Sequence, residues 1–133
     1  MPQWTARLTV VNTTHQDLEL KSKYVYPGND IVSFPDIIPA KGEGIYEVYT
    51  PSGKALGPEF KITLVAKGTS TENSLGSFDF HVDIPYWDTR NTLEYHCNRD
   101  LVCQVSPSTI YNSDHNYNGE AKISAKVTAD TKG

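Results

Sequence analysis

Two large aromatic side chains follow a proline near the middle of the chain, in the segment from Ile84 to Asn91. The proline ends a predicted strand, and two consecutive aromatic side chains in a loop cannot both turn inward easily. Tyr86 and Trp87 suit a surface that is half apolar and half wet, such as a headgroup region or a ligand cleft, and they would also attract a quaternary ammonium group. The segment therefore predicts a contact site. The alternative is structural: Trp87 closes the end of the fold and Asp88 caps a turn.

A second set of candidate ligands alternates along one predicted strand. Asp79, His81 and Asp83 share one face, and two carboxylates beside an imidazole are a metal-binding combination. The distance between alternate residues of a strand is roughly 7 Å, which is wide for chelation by such short side chains. We therefore interpret the three residues as the solvated face of a strand whose opposite face is core. We predict neither a metal site nor a cofactor.

Motifs for catalysis are missing from the sequence. It contains no Gly-x-Ser-x-Gly, no phosphate-binding glycine loop and no His-Glu-x-x-His pair. His96 and Cys97 are adjacent, but neighbouring side chains on a strand point to opposite faces, so they cannot act as base and nucleophile. The sequence predicts a protein that is not an enzyme.

Cys97 and Cys103 are the two cysteines of the chain, too few for a disulfide framework. They could pair if residues 98–102 form the loop of a hairpin. The first residues show no basic region followed by an apolar stretch, so we predict no secretory signal. We expect a cytoplasmic protein, or one released by a leaderless route that acts at target membranes. On these compartment grounds we favour reduced thiols.

Composition limits the classes of function. A chain of 133 residues is enough for a single domain, residues 1–133, with a sizeable core. Its formal net charge of −4 argues against a nucleic-acid partner, because binding to phosphates requires a basic face. No apolar run approaches the roughly 18 residues of a membrane helix. The unusual feature is the aromatic content, eight Tyr, four Phe and two Trp, which indicates either a core or a contact surface.

Apolar and polar residues alternate with period two almost from end to end, as is typical of half-buried strands. Clusters of Gly, Pro, Asn and Asp separate about nine short predicted strands. Prolines confine residues 35–39 to an edge or a loop, residues 51–58 are a predicted loop, and residues 106–119 are a polar stretch. The pattern predicts an all-β fold, a two-sheet β-sandwich of mostly antiparallel strands.

Three short segments resemble the aegerolysins, a family of small β-sandwich proteins. The resembling residues lie at both ends and in the middle of the chain: Gln3-Trp4 and Asn12, Tyr86-Trp87-Asp88 followed by Asn91-Thr92, and Tyr117-Asn118-Gly119-Glu120 leading into the last strand. The chain departs from the family after Tyr-Trp-Asp, where Thr89-Arg90 replaces the usual Cys-Pro-Trp-Gly.

Other residues resemble the related β-sandwich of the actinoporins. They are Val11-Asn12, Ala55-Leu56-Gly57-Pro58 and Ile84-Pro85-Tyr86. The amphipathic N-terminal helix that actinoporins insert into membranes has no counterpart, because the first predicted strand begins at Trp4. The resemblance therefore does not imply that the chain forms pores alone by that route.

What the resemblance implies is binding to a lipid bilayer, often to a sphingolipid headgroup or a sterol-containing membrane. Pore formation in aegerolysins commonly needs a larger perforin-like partner protein. Tyr86, Trp87 and Asp88 are the residues carried over as headgroup and interface contacts, with Arg90 beside them. Further candidate contacts are four tyrosines, about half of which alternation places in the core: Tyr24, Tyr26, Tyr46 and Tyr49.

The leading hypothesis is a non-enzymatic membrane-lipid-binding protein, a cytolysin or toxin component, with aromatic loops at one end of the sandwich. The alternative is a carbohydrate-binding lectin, in which the aromatic rings stack on a sugar and Asp88, Arg90 and Asn91 bind its hydroxyls. A third interpretation is a protein-interaction module without a small ligand. The acidic balance disfavours an electrostatic mode of membrane binding under every hypothesis.

Overall fold

The structure is a computed structural model of the chain, and it describes residues 3–87 and 90–127. The described residues contain no helix that is long and apolar enough to cross a membrane. Ten strands follow one another along the described chain: β1 (Thr5–Asn12), β2 (Leu18–Val25), β3 (Asp30–Ser33), β4 (Ile37–Ile38), β5 (Glu43–Tyr49), β6 (Glu59–Ala66), β7 (Ser77–Asp83), β8 (Thr92–Cys97), β9 (Leu101–Ser106) and β10 (Tyr117–Ala125).

The strands form two five-stranded sheets, which confirms the predicted all-β sandwich. The first sheet has the order β3-β5-β1-β10-β9 and the second the order β4-β2-β6-β7-β8. All pairs are antiparallel except β1 and β10, which run parallel and join the first strand of the chain to the last. Parallel neighbours need a long connection between them, and here the strands β2–β9 supply it.

The apolar and polar residues that alternate in the sequence are alternately buried and outward-facing in the strands. Along β1, β6 and β7 every second side chain is buried, and the residues between them face outward. The inner faces of the two sheets meet in an aromatic core that includes Tyr46, Phe60, Phe78 and Phe80, all essentially without exposed surface. Packing of this core fixes which face of each strand is available for function.

Two boundaries differ from the sequence-based prediction. The last strand begins at Tyr117, inside the stretch that we interpreted as polar, because residues from Tyr117 onward pair with β1 from Ala6 onward. Asn12, which we placed in a turn, is the last residue of β1 and pairs with Ile123. Both differences arise from a strand pair between the two ends of the chain, which local patterns do not report.

Cys97 and Cys103 lie on the edge strands of different sheets, β8 and β9, and both are half-buried free thiols. The two thiols are close enough for each to shift the pKa of the other. Interaction with the Cys103 thiol, together with burial, raises the pKa of Cys97. Interaction with the Cys97 thiol lowers the pKa of Cys103 against the opposing effect of burial. The two thiols therefore meet where the chain passes from one sheet to the other.

Candidate functional site

The chain leaves β7 at Asp83 and reaches the surface through Ile84 and Pro85. Ile84 is buried and its backbone N–H donates to the carbonyl oxygen of Pro58 at 3.0 Å, so the exit of the strand is fixed. Tyr86 follows as a half-buried residue, and Trp87 is 82% exposed. An indole with so little of its surface covered is the strongest sign of a contact site in the described part of the chain.

A stack of rings supports these two side chains. His115 lies on Trp4 with ring centroids 4.2 Å apart, and Trp4 stacks on Tyr86 at 5.2 Å. Tyr86 in turn meets Trp87 edge-on at 4.9 Å. Rings at these separations attract one another beyond the area that they bury. Trp4 thus supports the two rings of the site, with His115 stacked on it in turn.

An aromatic cleft of about 240 Å³ opens beside this stack. We use the name for the space lined by residues from the loop before β6, from the β2 end and from the β7 exit: Tyr26, Ala55, Leu56, Gly57, Glu59, Asp83, Pro85, Tyr86 and Trp87. Asn29 holds the loop, because its side-chain amide donates to the Gly57 carbonyl at 3.2 Å and its side-chain oxygen accepts from the Glu59 N–H at 2.9 Å.

Two carboxylates give the cleft a negative charge. Glu59 on β6 and Asp83 on β7 are directly opposite each other in the pairing of the two strands. Desolvation, followed by the nearby negative charges of Glu59 and Asp83 among others, raises the pKa of Tyr24. The field of the two carboxylates therefore extends beyond the cleft to the outer face of β2.

His81 connects the cleft to the outer face of the second sheet. Its Nε2 lies 2.8 Å from Oε2 of Glu59, and its Nδ1 lies 3.6 Å from Oε1 of Glu94 on β8. The Asp79 carboxylate is engaged elsewhere, because it accepts a hydrogen bond of 2.6 Å from the Thr63 hydroxyl. The set of metal-type side chains that converge is Glu59, His81 and Asp83. From the sequence we considered Asp79, His81 and Asp83 as metal ligands and interpreted them instead as a solvated strand face; Glu59 was not considered.

The predicted contact residues divide by location. Tyr86 and Trp87 line the aromatic cleft, together with Tyr26. Tyr24 is exposed on β2 close to the carboxylates of the cleft but does not line it. Asp88 lies outside the described residues, and Arg90 is exposed and does not line the cleft.

Two further predicted residues lie elsewhere. Tyr46 is fully buried in the core, where its hydroxyl donates to the Pro35 carbonyl at 2.9 Å, so it offers no surface to a ligand. Tyr49 is half-buried on the first sheet, where a hydrogen bond with Asp30 raises its pKa. Alternation along β5 explains the difference, since Tyr46 points inward and Tyr49 outward.

Sequence reasoning missed the loop residues that complete the cleft, Ala55, Leu56 and Gly57, and the acidic residue Glu59. The prolines at 51 and 58 indicated a loop of fixed course but not where it lies. Glu59 is brought to Asp83 by the register of β6 on β7. Turn composition locates such a loop in sequence, whereas only strand pairing locates it in space.

No family model matches this chain, and no curated protein matches it in sequence. Solved structures match it in fold. RahU, in complex with a TRIS molecule, matches with a TM-score of 0.67 and 9% identity over 94% of this chain and 97% of that chain. The lipid binding protein Nakanori has a TM-score of 0.67 and 12% identity, covering 91% of this chain and 71% of that chain. IP-1A from Alcaligenes faecalis has a TM-score of 0.65 and 12% identity, covering 93% and 92%. At these identities the likeness shows a shared fold.

Proposed function

We propose that this protein is a non-enzymatic membrane-lipid-binding protein of the aegerolysin type, and that the aromatic cleft holds a lipid headgroup. The observation that carries the proposal is Trp87, 82% exposed at the rim of the cleft. Tryptophan is favoured at the boundary between water and lipid, where its ring is half buried and its N–H stays hydrated. A shared fold with one protein that is described as lipid binding supports the same role.

The chemistry of the cleft favours a headgroup that carries a positive charge. Glu59 and Asp83 supply negative charge, and Tyr26, Tyr86 and Trp87 supply ring faces. An ammonium group is attracted both by carboxylates and by the quadrupole of aromatic rings. We therefore propose that the ligand is a zwitterionic lipid with an ammonium group, and that anionic lipids are disfavoured by the two carboxylates and by the net charge of −4.

The resemblance to aegerolysins supports two finer proposals. The first is that the preferred lipid is a sphingolipid, recognised in a sterol-containing membrane. The second is that the chain is the membrane-recognising component of a cytolysin, with a larger perforin-like protein supplying the pore.

Vesicle co-sedimentation tests the proposal. We expect the protein to bind vesicles of sphingomyelin or ceramide phosphoethanolamine with cholesterol, and to bind phosphatidylglycerol vesicles much less. Trp87→Ala should reduce binding at least about tenfold, as is usual for a central aromatic contact. Trp87→Phe should retain part of it, because the ring still enters the interface.

Val102→Ala is the control variant, since Val102 is an exposed apolar residue on β9 outside the cleft. Its binding should equal that of the unchanged chain, and the circular dichroism of all variants should remain β-rich. Equal binding by Trp87→Ala would contradict the assignment of the site. Binding on a glycan array without binding to any vesicle would identify the protein as the lectin of the alternative hypothesis.

A further inference from the structure

Three side chains with metal-binding atoms converge on the outer face of the second sheet. One ligand atom each from Glu59, His81 and Asp83 lie within 4.8 Å of one another. Within this cluster the His81 Nε2 is 2.8 Å from the Glu59 carboxylate. The residues come from two strands, so the cluster is a product of folding and not of local sequence.

Pairing of two strands brings the ligands closer together than the spacing of residues along one strand allows. Alternate residues on a strand are roughly 7 Å apart, but neighbouring strands are only about 4.8 Å apart. Glu59 on β6 is directly opposite Asp83 on β7, and His81 lies two residues before Asp83 on the same face. The Glu59 carboxylate therefore bridges the gap between the other two ligands.

The distances suit a small divalent ion. Zinc binds imidazole nitrogen and carboxylate oxygen at about 2.0–2.2 Å, which places the donor atoms of a tetrahedral site about 3.3–3.6 Å from one another. One present separation, 2.8 Å, is shorter than that range, and the other two are at most 4.8 Å. The three donor atoms are therefore close enough for one ion to contact all of them once the His81–Glu59 pair opens.

The second ring nitrogen of His81 also lies near a carboxylate. With Nε2 directed at the cluster, Nδ1 faces the Glu94 carboxylate at 3.6 Å. This separation is longer than a hydrogen bond, and the Glu94 side chain is 74% exposed. A rotation of Glu94 toward the ring would form the hydrogen bond that metal-binding histidines commonly donate from their second ring N–H, which fixes the tautomer and the orientation of the ring. The side chains of His81 and Glu59 keep 24% and 18% of their surface exposed, so the ligands are partly desolvated and an ion can still enter.

We propose that Glu59, His81 and Asp83 bind a divalent transition-metal ion of the zinc type, with Glu94 as the positioning residue of the imidazole. The imidazole ligand selects zinc over calcium and magnesium, which prefer oxygen ligands only. Three protein ligands leave a fourth position open for water or another ligand. Glu59 and Asp83 also line the aromatic cleft, but zinc binding is measured without lipid, so failure of one proposal is distinguishable from failure of the other.

Calorimetric titration of the lipid-free, tag-free protein with zinc chloride in a non-chelating buffer tests the proposal. We expect binding of one ion per chain and no measurable binding of calcium or magnesium. His81→Ala and Glu59→Gln should each reduce zinc affinity at least about tenfold, and Glu94→Gln should reduce it less while one ion still binds. Circular dichroism of each variant verifies that the fold is retained.

Two variants distinguish this site from ordinary surface binding. Asp79→Asn removes a carboxylate on the same strand face but outside the cluster, and His15→Ala removes the ring of the exposed His15–Glu72 pair. Both should bind zinc as the unchanged chain does. Absence of zinc binding would overturn the proposal. So would a loss of affinity in His15→Ala or Asp79→Asn with none in His81→Ala and Glu59→Gln.

Discussion

Asn12 is a buried residue whose side chain joins three parts of the chain. Its Nδ2 donates to the carbonyl oxygens of Gln16, Ile38 and Pro39 at 2.8, 3.3 and 3.1 Å. Its Oδ1 accepts from the N–H and the hydroxyl of Thr14 at 3.0 and 2.8 Å. The turn after β1 is therefore fastened to β4 at the edge of the second sheet by one amide. Removal of the amide takes away all of these hydrogen bonds and leaves the buried Thr14 N–H without its acceptor, whereas the Gln16 and Pro39 carbonyls keep donors in the Thr14 hydroxyl and the Gly42 N–H.

We expect Asn12→Ala to destabilise the protein by about 2–4 kcal/mol, because the variant loses the buried hydrogen bonds of the amide and leaves the buried Thr14 N–H without its acceptor. Urea denaturation followed by tryptophan fluorescence measures the change. Asn118→Ala, at an exposed position of β10, should change stability by no more than about 0.5 kcal/mol. A cost for Asn12→Ala as small as that of Asn118→Ala would contradict the role of the amide.

At the scale of single residues, the sequence identified the site residues that have a distinctive local pattern around them. Tyr86 and Trp87 were recognised because a proline and two aromatic residues in a row are a local signal, and the structure places both at the cleft. Glu59 was not recognised, because a single acidic residue at the start of a strand has no local signal. Its function depends on which residue the next strand places opposite it, here Asp83.

The loop of residues 51–58 shapes the aromatic cleft through one close backbone contact. Gly57 is buried, and a Cβ at this position would overlap the carbonyl oxygen of Ile84. The loop therefore lies directly against the exit of β7, from which Tyr86 and Trp87 emerge. A residue with a side chain at position 57 must push these two segments apart.

Gly57→Ala should accordingly cost about 1–3 kcal/mol of stability, the usual effect of overpacking. It should also weaken vesicle binding although Trp87 remains, because the two walls of the cleft separate. Denaturant titration and co-sedimentation on the same samples measure both effects. Ser52→Ala, an exposed substitution in the same loop, is the control and should leave both unchanged. Full vesicle binding by Gly57→Ala would show that the loop does not form part of the site.

At the scale of elements, alternation predicted the strands well where pairing is antiparallel and the neighbouring strand lies close in sequence. It failed at the start of β10, whose first residues read as a polar stretch. Asn118 and Glu120 face outward there, while Tyr117 and Gly119 are buried by pairing with β1. Gly119 has no side chain to mark the inner face, so the periodic signal is lost at that point.

The whole molecule places its aromatic residues in two groups with different roles. One group fills the core between the sheets, including Phe60, Phe78 and Phe80, as alternation predicted. The other forms the stack of His115, Trp4, Tyr86 and Trp87 at one end of the sandwich. The first group fixes the two sheets against each other, and the second uses the resulting rigid end to present Trp87 to a partner.

Two buried tyrosines make the stability of the whole fold sensitive to alkali. The hydroxyls of Tyr46 and Tyr117 donate to the carbonyl oxygens of Pro35 and Pro107, each at 2.9 Å. Burial raises the pKa of Tyr117 to about 12 and that of Tyr46 further above its ordinary value of about 10. The folded chain thus keeps protons that the unfolded chain loses above pH ~10. The stability that these groups contribute is complete below that pH and is lost as the pH rises toward about 12.

We therefore expect the urea midpoint to fall between about pH 10 and pH 12, and to fall less steeply in Tyr46→Phe and in Tyr117→Phe. Each phenylalanine variant lacks one hydroxyl whose proton the folded chain retains. The urea midpoint of each variant must therefore fall less steeply with pH, even if the variant is less stable at neutral pH. Tyr111→Phe, at an exposed position, should keep the original slope. Absorbance of tyrosinate in the same titration reports when the protons leave. If the urea midpoints of the unchanged chain and the three variants fall equally steeply with pH, ionisation of the two buried hydroxyls is not the cause of the lost stability.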